Sequence, residues 1–259
     1  MKHFYVVVFL SAIIVLSSFT GLEVNKYKIK TVVLDAGHGG KDPGCHGKMS
    51  NEADITLKVA MELGRIIKES YPEIKVIYTR STDKFVELHD RAAMANKQNA
   101  DLFISIHCNS GPKSVSGTET FTMGLHTSDE NLEVAKRENS VILKEDNYKQ
   151  KYDGFDPNSP MAHILMANYQ KAFIENSLKF AAKIEKQFQS KLKKNSRGVK
   201  QAGLLVLWKT YMPSVLVEIG FLTNATEERY MNNKTNRTYI ASCIYRAFKN
   251  YKTEVETVN

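Results

Sequence analysis

Cysteine is scarce and scattered in this 259-residue chain: Cys45, Cys108 and Cys243 are an odd number at wide spacing, with no C-x-x-C. A disulfide framework and a structural zinc ribbon are therefore excluded. No internal repeat or low-complexity tract is visible, and no G-x-S-x-G elbow for a serine hydrolase. The glycines Gly37, Gly39, Gly40, Gly44 and Gly47 do not make a phosphate loop. The position that G-x-G-x-x-G needs is Asp42, and no Gly-Lys-Ser/Thr follows. They are better suited to letting backbone pass close to a substrate or to holding positive φ. With 42% hydrophobic and 25% charged residues, the composition excludes collagen, disorder and a polytopic membrane protein. A chain of this length buries one large core, so a single domain is expected.

Lys and Arg number 36 against 28 Asp and Glu, a formal charge of +8 spread along the chain. The one local basic run, Lys191, Lys193, Lys194 and Arg197, reads as a solvated helix end, and no nucleic-acid partner is expected. Attraction to an acidic polymer or a membrane surface stays open.

Residues 1–20 read as a signal peptide. Lys2 and His3 precede the apolar stretch Phe4–Leu16, and small residues follow at Ser17, Ser18, Thr20 and Gly21. The stretch falls short of the roughly 20 residues that span a bilayer, so cleavage near Thr20 is expected, with an uncleaved anchor as the alternative. That places the mature protein in the periplasm or cell envelope, without stable membrane insertion.

Strand-like and helix-like segments alternate from there on, the pattern of an α/β fold. Apolar runs at 31–35, 74–79, 101–107, 117–123, 203–208 and 214–218 predict six strands in a mostly parallel, twisted sheet covered by helices on both faces. Ile55, Val59, Leu63 and Ile67 predict a helix opened by Asn51 with Asp54 in its first turn. Further apolar periods run through Phe85, Leu88, Ala92 and Ala95, through Ile174 to Leu192, and through Ile240 to Tyr251. A domain over 30–252 is expected. The polar stretch 124–160 interrupts it as an insertion bearing one amphipathic helix, with Thr127-x-x-Glu130 as a capping box.

Four polar residues stand out. His38 follows the first strand, His107 closes the third, Glu218 closes the last, and Glu52 lies in the first turn of the first helix on its apolar face. In open α/β sheets functional groups gather beyond the carboxyl ends of strands. Two imidazoles and a carboxylate with one open position make a catalytic zinc site, and a second carboxylate beside it can move protons. Read singly, a strand-end His is a satisfied polar residue and a strand-end carboxylate a helix cap; Asp35 fits a structural role. His46 and Cys108 neighbour Cys45 and His107 in extended chain, so their side chains are expected to diverge from the site.

Several stretches resemble the zinc-dependent N-acetylmuramoyl-L-alanine amidases (amidase-3 family). They are Val33-Leu-Asp-Ala-Gly-His-Gly-Gly-Lys-Asp-Pro-Gly44 with Asn51-Glu52, then Tyr78-Thr-Arg-Ser-Thr-Asp83, and Leu102-Phe-Ile-Ser-Ile-His-Cys-Asn109. Gly117-Thr-Glu-Thr120, Arg197-Gly-Val-Lys-Gln-Ala202 and Met212-Pro-Ser-Val-Leu-Val-Glu-Ile-Gly-Phe-Leu-Thr-Asn224 complete the series in the family's order. Ala53 and Cys108 depart from the residues usual there. The resemblance implies Zn²⁺ held by His38, Glu52 and His107, with Glu218 as the catalytic carboxylate. It also implies cleavage of the amide between N-acetylmuramic acid and the first L-Ala of the peptidoglycan stem peptide, in cell-wall remodelling or daughter-cell separation. A zinc peptidase cutting within the stem peptide and a non-catalytic cell-wall binding module are the alternatives. Some similar proteins carry a helix in the corresponding insertion that blocks the site until an activator protein displaces it. The helix of 124–160 carries Glu130, Glu133, Glu138 and Glu145, each a candidate to approach the metal or to mimic an acidic substrate. The insertion is therefore expected either to regulate access to the zinc or to be a solvated surface excursion.

Overall fold

The computed structural model describes residues 27–167 and 172–258; residues 1–20, where a signal peptide is expected, lie outside them. Six strands form one sheet in the order β2-β1-β3-β6-β4-β5. They are β1 (Thr31–Ala36), β2 (Lys75–Tyr78), β3 (Leu102–Asn109), β4 (Thr118–Met123), β5 (Ser196–Ala202) and β6 (Ser214–Phe221). Every pairing is parallel except β4 with β6, where Glu119 stands opposite Glu218.

Both faces are covered, and the two-residue alternation of each strand decides what they carry. Val32, Leu34 and Ala36 of β1, Ile104 and Ile106 of β3, and Val215 and Val217 of β6 point to one face. There they pack against α1 (Glu52–Ser70), α6 (Ile174–Lys191) and α9 (Lys234–Val258). Val33, Phe103, Phe121 and Leu216 point to the other. That side is closed by α2 (Leu88–Lys97), the short α7 (Leu205–Trp208) and the 124–160 segment, with α8 (Ala225–Asn232) lying beyond the end of β6.

The segment 203–208 is not a strand. Its apolar residues form α7, and the fifth strand is Ser196–Ala202 just before it. A short run buried on all sides has no face-specific period, so helix and strand look alike in it. β5 escapes an apolar search because it is a half-exposed edge strand carrying Arg197, Lys200 and Gln201. The insertion also differs from a single-helix excursion. It contains α3 (Asp129–Asn139), a 3₁₀ turn (Ser140–Lys144), α4 (Tyr148–Lys151) and α5 (Pro160–Ala167). The cap of α3 is Ser128, whose hydroxyl accepts from Asn131 N at 3.3 Å, one residue later than the Thr127 box. Val134, Ala135, Val141, Ile142, Tyr152 and Phe155 are buried in the second core, so the segment is part of the fold.

Beneath the strand ends lies a buried ion pair. Asp35 accepts from Arg91 Nη1 at 2.8 Å, from Thr79 Oγ1 at 2.6 Å and from Ser105 Oγ at 2.6 Å. Arg91 also donates to the carbonyls of Ala36 and His38, both at 2.8 Å. Asp35 thus has the structural role expected of it. Burial alone would raise its carboxyl, but the Arg91 charge and the two hydroxyls hold it below the ordinary range. A depressed carboxylate stabilises the fold above about pH 4 and loses that contribution as pH falls through its folded pKa. Asp35→Ala should cost about 3–5 kcal/mol in urea denaturation at pH 7, the scale of a broken buried pair. The deficit should shrink below pH 4; a pH-independent loss under about 1 kcal/mol, the scale of a surface pair, would contradict this reading.

Candidate metal centre and active site

His38 enters the site through strain and support together. Its φ is +61°, in the left-handed region that β-carbon residues seldom adopt. The Arg91 guanidinium on its carbonyl holds that turn in place. Its Nδ1 meets Asp42 Oδ2 at 2.7 Å, so Nε2 faces inward. Gly44, also at positive φ (+69°), leaves the room required: a Cβ there would lie 2.7 Å from both Glu52 Oε2 and His38 Cδ2.

Glu52 opens α1, and its carboxylate is held at both oxygens by backbone. Cys108 N donates to Oε1 at 2.8 Å and Cys45 N to Oε2 at 2.9 Å. Asn51 is the N-cap of α1 by position only, because its side chain pairs with His46 Nδ1 at 2.7 Å. His107 and Glu218 stand side by side in register on β3 and β6, just before the pairing slips by one residue. Such a bulge at a strand end re-aims the side chains beside it.

The side chains of His38, Glu52, His107 and Glu138 converge, with one ligand atom from each all lying within 4.8 Å of one another. His38 Nε2 is 3.1 Å from Glu52 Oε1 and 3.3 Å from Glu138 Oε2; His107 Nδ1 is 3.1 Å and 3.0 Å from the same two atoms. His38 Nε2 and Glu138 Oε2 nevertheless make no hydrogen bond. They crowd a shared centre instead of bonding to each other. Donors about 2.0–2.1 Å from a tetrahedral ion sit roughly 3.3 Å apart, so this set fits a metal. The Asp42 carboxylate on the far nitrogen of His38 is the usual outer support of a metal-ligating imidazole.

Electrostatics agree. Burial would lower both imidazoles, yet Glu52, Asp42 and Glu138 push His38 well above its ordinary value, and Glu138 with Glu52 brings His107 to about 9. Burial raises the Glu218 carboxyl well above the carboxylate range; Glu138 adds to this and Arg137 offsets part of it. A fully buried carboxyl that holds its proton more readily than usual is suited to taking up a proton and passing it on.

The fourth member of the cluster was one of four glutamates open to that role. Glu138 lies on the last turn of α3, in the buried stripe of Asn131, Val134 and Ala135. Glu130 and Glu133 are exposed, and Glu145 instead accepts from Leu88 N at 2.9 Å at the start of α2. The preceding residue, Arg137, reaches Glu218 Oε1 at 3.4 Å. Lys144 reaches Asp42 Oδ1 at 2.7 Å. Asn139 anchors the end of α3, donating to Gly203 O at 2.7 Å and accepting from Leu205 N at 2.8 Å. His46 is tied up with Asn51 outside the cluster, and Cys108 packs near Met231, as their neighbours' directions require. Arg80 is buried and donates to the carbonyls of Ala36, Gly37 and Ala53, while Arg197 pairs with Glu119.

A mostly parallel sheet with two imidazoles and buried carboxylates gathered at its strand ends defines an α/β protein with a cluster able to hold a metal in the place where such folds do chemistry. Residues 32–250 match the family of N-acetylmuramoyl-L-alanine amidases, Amidase_3, and the chain belongs to that family. It is 33% identical to the N-acetylmuramoyl-L-alanine amidase AmiA of Escherichia coli (strain K12), over 86% of this chain and 76% of that one. It is likewise 33% identical to AmiC of E. coli O6:H1, covering 85% of this chain but only 52% of AmiC. Its fold is similar to the crystal structure of N-acetylmuramoyl-L-alanine amidase from Clostridium difficile 630, with TM-score 0.64 and 26% identity over 87% and 97% of the two chains. The CwlD amidase of Clostridioides difficile, solved in complex with the GerS lipoprotein, has TM-score 0.64 and 25% identity over 87% and 99%.

Proposed function

We propose that this chain hydrolyses the amide between N-acetylmuramic acid and L-Ala in peptidoglycan, as a zinc enzyme of the exported cell envelope. The observation that carries the reading is the four-atom cluster of His38, Glu52, His107 and Glu138 beside a buried Glu218. His38, Glu52 and His107 are the resident ligands, since they come from the loop after β1, the first helix and β3, whereas Glu138 belongs to the insertion. When bound, zinc supplies a Lewis acid for the scissile carbonyl and acidifies the attacking water. Glu52 keeps both imidazoles aimed by resting on two backbone N–H groups. Glu218 takes a proton from the water and delivers it to the leaving nitrogen. A stem-peptide peptidase would need the same chemistry; kinship to amidases across 32–250 favours the muramoyl amide. The retained acid–base carboxylate speaks against a purely binding module.

The 124–160 insertion is a regulatory plug in this proposal. Glu138 takes the position that an open catalytic site leaves for water or substrate, and Arg137 covers Glu218. The GerS complex of the similar CwlD supports a protein partner as the agent of release. No helix among the described residues is long and apolar enough to cross a membrane. If the closed form outweighs the open by 99:1, an activator must favour opening by about 2.7 kcal/mol to reach half occupancy.

Chelation should abolish activity and added Zn²⁺ restore it, with one ion per chain by mass spectrometry. His107→Ala should lose both metal and turnover, and full metal content with full activity would refute the ligand set. Glu218→Gln should keep the metal while turnover falls at least about 10²-fold, the scale of a general acid–base; loss of metal would make Glu218 a ligand.

Removing the whole insertion would expose Phe121 and Leu204–Leu207, which it covers, so point variants are the cleaner probe. The double variant Arg137→Ala/Glu138→Ala should raise basal amidase activity at least several-fold, with cleavage at the same bond by mass spectrometry of digested peptidoglycan. Unchanged activity in a folded, metal-loaded variant would refute the plug.

A further inference from the structure

The guanidinium of Arg137 lies in a cradle that the insertion does not build. Its Nη2 donates to Asn109 Oδ1 at 3.0 Å and to Glu218 Oε1 at 3.4 Å, and its Nη1 donates to Ser110 O at 3.3 Å. All three oxygens come from β3, β6 or the residue just beyond β3. Only Arg137 and its Nε partner Glu138, at 2.9 Å, come from α3.

The cradle is rigid and of one chemical kind. Asn109 is buried, and its amide can face only one way: Nδ2 donates to Glu119 Oε2 at 2.9 Å, and a carboxylate accepts but does not donate. Arg197 holds that carboxylate from its other oxygen, Oε1. Asn109 Oδ1 is therefore turned toward Arg137, and Ser110 N supports it at 2.8 Å. Three fixed acceptors, one of them the carboxylate of Glu218, select a group with several N–H donors and positive charge.

Under the amidase reading, the reaction produces one such group, and it does so beside Glu218. Water adds its oxygen to the lactyl carbonyl carbon, the C–N bond breaks, and Glu218 relays a water proton to nitrogen. The remaining acid proton also ends on the amine near neutrality, so the products are a lactyl carboxylate and the α-ammonium of L-Ala. We propose that Asn109 Oδ1, Ser110 O and Glu218 form the subsite for this leaving amine. The Arg137–Glu138 pair then fills the site as a product mimic, with the carboxylate on the ligand set and the cation on the acceptors. The amide of the substrate offers a single N–H, whereas the departing amine offers two or three. The cradle consequently holds the nitrogen more tightly as it is protonated, the kind of differential binding that accelerates a reaction. Asn109 is in this account a leaving-group-binding residue, and Glu119 and Arg197 are its positioning residues.

The inference rests on the amidase reading, and the test separates the two. The dipeptide L-Ala-D-isoglutamine and its N-acetyl derivative are titrated calorimetrically into the full chain and into Arg137→Ala/Glu138→Ala. Measurements are made with zinc and after chelation, so that binding is read without turnover. In the double variant the free-amine peptide should bind at least about 10-fold more tightly than the N-acetyl form, the scale of a charge-assisted hydrogen bond. The preference should be absent in the wild-type chain, where Arg137 fills the cradle, and should vanish on adding Asn109→Leu. Equal affinity for the two peptides in the double variant would overturn the subsite, whether or not the Asn109 variant folds. If that variant still cuts the muramoyl–alanine bond by mass spectrometry, the amidase reading survives the loss. If it cuts elsewhere, both fall.

Discussion

The carboxylate of Glu52 is the interaction on which the site depends. Its two oxygens take backbone N–H groups from Cys45 and Cys108, so one side chain ties the first helix to the loop after β1 and to the end of β3. Oε1 also faces both imidazoles, at 3.1 Å each. A fully buried carboxylate is costly unless paired and hydrogen-bonded, and here the same contacts that offset the cost set the positions of His38 and His107. Asp35 and Arg91 do the corresponding work one layer below, fixing the left-handed turn that presents His38.

On this frame the insertion adds charge in a complementary pattern. Glu138 faces two imidazoles, Arg137 faces the Glu218 carboxylate, and Lys144 faces Asp42. His38, His107, Glu218 and Asp42 thus each meet an opposite charge from one short stretch of chain. The stretch is bound to the domain by its own core, through Val141, Ile142, Tyr152 and Phe155, and by the Asn139 side chain on the backbone of Gly203 and Leu205. In the proposed plug, apolar burial at the base and ions at the tip would let the tip release while the base stays docked.

How much of this was legible in the sequence follows from burial. β1, β3 and β6 are buried along their whole length, so they appear as apolar runs, and the functional residues that end them are conspicuous as the polar residues closing those runs. Glu52 was legible because it shares a helix face with Ile55 and Val59. β5 was not, since an edge strand with charged residues lacks the apolar signal; the run that contains α7 resembles a strand because its five consecutive apolar residues, Leu204–Trp208, carry no period. The insertion hid its meaning differently. Four glutamates were open candidates, and only the phase of α3, with Glu138 seven residues after the buried Asn131 and three after Ala135, separates the one that enters the site. Asn109 gave no signal of its own, because its orientation is set by Glu119 on the next strand, itself held by Arg197 far along the chain.

The central claim is that two imidazoles and two carboxylates, one of the latter from the insertion, surround a single metal ion. X-ray absorption at the zinc edge of the purified full-length chain tests it most directly. The account predicts a first shell of two nitrogen and two oxygen donors at about 2.0–2.1 Å, and Glu138→Ala should exchange one protein oxygen for solvent while both imidazoles remain. A shell lacking histidine scattering, or a folded, metal-loaded Glu138→Ala variant whose basal activity is unchanged, would contradict it.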